Sequence, residues 1–124
     1  MKLRAFLLLV SCLHAATTLA ASPFGSWTGR FQAGVKAKGK VPAGMGRARF
    51  LMLFRLEKTY VADGFHVPSK GRTSATGTWS QKGNVVTTKE NGPGKKATRY
   101  VLSKDGGTLF LAIPGTGGGI LFRR

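Results

Sequence analysis

The sequence predicts an all-β fold: one antiparallel meander of about eight short strands, rolled into an up-and-down barrel or folded as a β-sandwich. Three observations predict it. From residue 25 onward, apolar and polar residues alternate with period two in short runs. Gly-, Pro- and Asn-containing turns separate the runs at short, fairly regular spacing. Gly fills 18 of the 124 positions without a collagen period, which suits the bends of a small closed sheet. The length allows one domain and excludes a multidomain enzyme. A composition that is 42% hydrophobic and 19% charged excludes disorder, and nothing in it suits a coiled coil or a multi-pass membrane protein.

Residues 1–20 form the first element. Lys2 and Arg4 precede an apolar run over 5–13, and Thr18-Leu19-Ala20 meets the small-x-small requirement of signal peptidase. The run is shorter than the roughly 20 residues of a bilayer-spanning helix. The expectation is a secretory signal peptide over 1–20, cleaved after Ala20, and a β domain over 21–124. The protein would then be secreted, or placed in a bacterial periplasm or envelope. Leu9-Val10-Ser11-Cys12 loosely matches a lipobox, which keeps a lipoprotein as the alternative. Cleavage takes the sole cysteine, Cys12, and two charges, leaving 104 residues of net charge +14. Such a chain has no disulfide, no thiol nucleophile and no Cys-based metal site.

The strands follow in order. Trp27, Gly29, Phe31 and Ala33 alternate with Thr28, Arg30 and Gln32 in the first, and residues 34–46 read as a long loop. Over 47–56, Ala48, Phe50, Met52, Phe54 and Leu56 point one way. Arg47, Arg49 and Arg55 point the other, a sorting that a strand achieves and a helix does not. Residues 60–67 form the third strand, with Asp63-Gly64 marking a tight turn or a bulge. Residues 68–72 turn the chain. Over 73–81, Ala75, Gly77 and Trp79 face inward. Lys82-Gly83-Asn84 connects this strand to 85–89. Strands over 97–103, 108–113 and 120–123 complete the chain, joined by turns at 104–107 and 114–119.

Gly25-Ser26-Trp27 at the start of the first strand, with Arg123 near the end of the last, resembles the lipocalin and wider calycin pattern. The resemblance implies an up-and-down barrel in which Trp27 packs across the closed end beneath Arg123. An indole under a guanidinium gains a cation–π contact there. The chain is nearer in size to avidin-like barrels and to small lipocalin-like bacterial domains than to a typical lipocalin. It has no clear counterpart of the family's second motif.

Catalytic chemistry finds little material. The acids Glu57, Asp63, Glu90 and Asp105 are scattered, each beside an expected turn. His66 is the only histidine outside the signal, and no nucleophile elbow surrounds Ser69. The loop 114–119 lacks the Gly-Lys-Ser/Thr ending of a phosphate-binding loop. The expectation is therefore no enzyme, no cofactor and no metal, and a protein that acts by binding.

Two partners are in view. One is a small apolar or amphipathic ligand in the barrel mouth, lined by Phe50, Met52, Phe54 and Trp79, unless those side chains fill the interior. The other is an extracellular polyanion: anionic lipid, acidic polysaccharide or nucleic acid. The net charge is +16, and residues 22–56 hold seven basic residues and no acid. Lys36, Lys38, Lys40, Arg47, Arg49 and Arg55 are the candidate contacts. A secreted protease inhibitor is a variant of that second reading.

Overall fold

Alternation of inward and outward side chains, read strand by strand, rolls the sheet into a closed barrel. The computed structural model of the protein describes residues 21–33 and 43–124. The strands are β1 (Gly25–Gln32), β2 (Arg49–Phe54), β3 (Thr59–Val67), β4 (Gly71–Lys82), β5 (Val85–Glu90), β6 (Ala97–Leu102), β7 (Thr108–Ala112) and β8 (Gly119–Arg123). Each pairs antiparallel with the next, and β1 closes on β8 through Thr28↔Arg123 to Gln32↔Gly119. The barrel, not the sandwich, is the architecture. The expected signal 1–20 lies outside the described residues, as do Lys36, Lys38 and Lys40.

Several strand boundaries differ from expectation by one or two residues, and β4 starts at Gly71, inside the expected turn 68–72. β2 starts at Arg49, after a single 3-10 turn at Met45–Arg47, and ends at Phe54. Leu56 does not continue the inward row: the turn that bonds Lys58 N–H to the Arg55 carbonyl lifts it to 74% exposure. Asp63-Gly64 is not a turn. Both residues pair regularly with β2 and β4, and the irregularity follows them, between Gly64 and Val67.

The interior has a packed end and an open end. At the packed end Phe54 meets Trp79 edge-on at 5.7 Å, and Val86, Leu102 and Leu109 are buried beside them. Trp79 Nε1 donates to the Arg55 carbonyl at 2.9 Å, and Lys58 Nζ lies 4.0 Å above its ring. Residues 21–24 cross beneath. Pro23 is fully buried and its carbonyl accepts from Trp27 Nε1 at 2.7 Å. The outer wall carries Arg30, Arg72, Lys82, Lys89, Arg99 and Arg123, interspersed with Leu51 and Val101. This is the reverse of a lipid-facing barrel, whose outer band is apolar. Among the described residues no helix is long and apolar enough to cross a membrane.

Candidate functional site: the barrel mouth

The open end is hollow because its inner wall on β3 and β4 is built of small residues. Ala62 pairs with Ala75 and Gly64 with Thr73. These side chains do not reach the opposite wall of Phe50, Met52, Leu111, Ile120 and Phe122. A cavity of about 400 Å³ remains between the two walls. Backbone crowding makes Gly77 obligatory: a Cβ there would press on the Lys89 carbonyl and come within 2.9 Å of Glu90 Cα.

One side of the cavity is polar. Glu90, the last residue of β5, and Lys95, in the following loop, form an ion pair at 3.3 Å on the rim. Tyr100, from β6, lies deeper and is buried. Burial pushes its phenol up to about 12, opposed by a hydrogen bond with Thr88 and reinforced by Tyr60. Tyr60 is raised as well, first by burial and then by the Glu90 charge, with Thr88 again opposing. Thr88 is itself buried, so three hydroxyls gather on the β3–β6 side. Both phenols keep their protons at neutral pH and are available as donors.

The structure separates the residues expected to line a pocket. Phe50 and Met52 line the cavity. Phe54 and Trp79 do not: they sit in the same inward phase but one or two positions nearer the packed end, where they meet each other. Tyr100, Glu90, Lys95 and the small residues escaped the sequence reading. The signal that points to them is the run of inward Ala and Gly on neighbouring strands.

Trp27 is buried, Gly25 begins its strand, and the cation over the indole is not the one the resemblance implied. Arg124, not Arg123, lies over the Trp27 ring at 4.1 Å. Parity explains the correction: Ile120 and Phe122 are inward, so Arg124 shares their side while Arg123 faces out. Arg124 also donates to the carbonyls of Phe24 at 2.6 Å, of Gly106 at 2.9 Å and of Ser22.

The basic candidates among the described residues, Arg47, Arg49 and Arg55, do not form one patch. Arg47 and Arg49 stand at the open end and Arg55 at the packed end, roughly 20 Å away at the rise of a strand. Among the described residues no three His, Cys, Asp or Glu side chains converge as metal ligands would. No family model, curated protein or solved structure matches the chain.

Proposed function

We propose that this is a secreted, non-enzymatic binding protein, built as a lipocalin-like barrel, that holds a small amphipathic molecule in its mouth. The observation that carries the reading is the half-filled interior, with about 400 Å³ left free above a tightly packed floor. That volume falls within the ~300–1,000 Å³ of small-molecule pockets. The apolar wall takes the body of the ligand. The Tyr100 hydroxyl offers a hydrogen bond to a neutral polar group on it. Support for the lipocalin-like reading is Trp27 capped by a C-terminal arginine, and support for secretion is the signal-like segment 1–20.

The test begins with native mass spectrometry of protein recovered from its own secretion medium or envelope. The expected result is a discrete added mass that leaves on denaturation and is missing from Ala75→Phe, whose ring occupies the cavity. The purified protein should also take up the neutral dye phenylnaphthylamine, and the variant should not. A bare mass together with no dye uptake by the wild type overturns the reading.

A further inference from the structure

Most of the positive charge that dominates the sequence lies outside the barrel mouth, whose basic lining residues are Lys70 and Lys95. It meets an apolar surface elsewhere, on the outside, where β1 and β2 part. Their ladder ends at the pair Gly29↔Phe50. Beyond it β1 stays with β8 as far as Gln32, while β2 stays with β3, Arg49 opposite Phe65. The diverging strands leave a groove of about 830 Å³.

Arg30, Arg49, Arg123 and His66 line the groove, and no acidic residue does. Arg30 and Arg123 are exposed on the outer wall, each beside an uncharged cross-strand neighbour, Leu121 and Thr28. Arg49 is held in place: its Nη1 donates to the carbonyls of Arg47 and Ala48, both at 3.2 Å. The single ion pair among the described residues is Lys95–Glu90, so none of the three arginines is matched by a carboxylate there.

Between the cations the surface is apolar, with Phe31, Phe65 and Leu121, and with Phe50 and Leu51, which also border the mouth. The irregularity in β3 shapes this wall. His66 takes φ 55, a left-handed conformation that a side chain rarely adopts. Regular alternation would turn Phe65 and His66 to opposite sides, whereas here both line the groove. A strained residue at such a place fits a surface shaped for contact.

We infer that this groove binds a single anionic amphiphile, its phosphate or carboxylate head group on Arg30, Arg49 and Arg123 and its apolar chain against Phe31, Leu51 and Leu121. An inorganic anion or an acidic polysaccharide would leave the apolar wall uncovered. A nucleic acid needs open ring faces for stacking, and the Phe65 ring is already covered by Arg72 at 5.1 Å. A bilayer surface would meet protruding residues, whereas this site is concave.

The experiment is isothermal titration with dodecyl phosphate below its micellar concentration. In Ala75→Phe, whose mouth is filled, one equivalent should bind, and adding Arg30→Glu with Arg123→Glu should weaken it at least about tenfold. Lys82→Glu with Arg99→Glu, on the far wall, is the matched charge control and should stay within about twofold. Dodecyl maltoside and inorganic phosphate should each bind at least about tenfold more weakly than dodecyl phosphate, since each supplies only half of the recognition. Ala75→Phe should leave binding intact, which separates this site from the mouth. The inference is overturned by equal affinity for the neutral detergent, by an unchanged double variant, or by loss of binding in Ala75→Phe. Binding seen only with phosphatidylglycerol vesicles overturns it too.

Discussion

At the scale of single residues, the buried hydroxyls set the chemistry of the mouth. Tyr100 has its phenol pushed from 10.0 to about 12 because burial disfavours the phenolate. In the unfolded chain the same phenol ionises near 10. The neutral form is therefore favoured by folding, and its contribution is fully present below pH 10 and lost as pH rises through about 12. We expect stability in urea to decline across that window, with a tyrosinate absorbance step near its upper end. Tyr100→Phe should remove that step and flatten the decline. Arg124 gives the lesson on legibility at this scale. The resemblance implied a basic residue near the end over Trp27 and pointed to Arg123, but naming Arg124 takes the inward parity of Ile120 and Phe122, which only a fixed register supplies.

At the scale of elements, most strands were legible, because alternation such as Ala75, Gly77, Trp79 against Ser74, Thr76, Thr78 has no helical counterpart. The cavity was less so, because it is made by what the inner wall lacks. Ala62 and Gly64 say little along β3 alone. Set against Thr73 and Ala75 on β4, they leave a hollow. Glu90 and Lys95 read as turn residues until the mouth brought them together at 3.3 Å. Gly77 is where β4 and β5 meet most closely. Gly77→Ala forces β4 and β5 apart at Lys89 and should cost about 1–3 kcal/mol in chemical denaturation. Gly46→Ala, whose Cβ meets open space, should change stability by less than about 0.5 kcal/mol.

At the scale of the whole molecule, closure depends on contacts between the two ends of the described chain. Thr28 and Arg123 are partners across 95 positions, and Arg124 fastens residues 22–24 beneath the barrel. Arg124→Ala removes charge-assisted hydrogen bonds and the Trp27 stacking together, so a loss of about 1–3 kcal/mol is expected. Hydrogen exchange should show the loss first around Trp27, Gly106 and Phe24, and leave the amides of Gly64 and Ala75 unchanged. The half-filled interior has a consequence of its own. Phe54, Trp79, Val86 and Leu109 anchor the barrel from one end, while Ala62, Ala75 and Leu111 border empty space at the other. Enlarging a side chain at the second end consumes room instead of displacing neighbours. The capacity of the barrel is therefore open to mutation where its foundation is not, and descendants of this chain can reshape the mouth without first having to relearn how to fold.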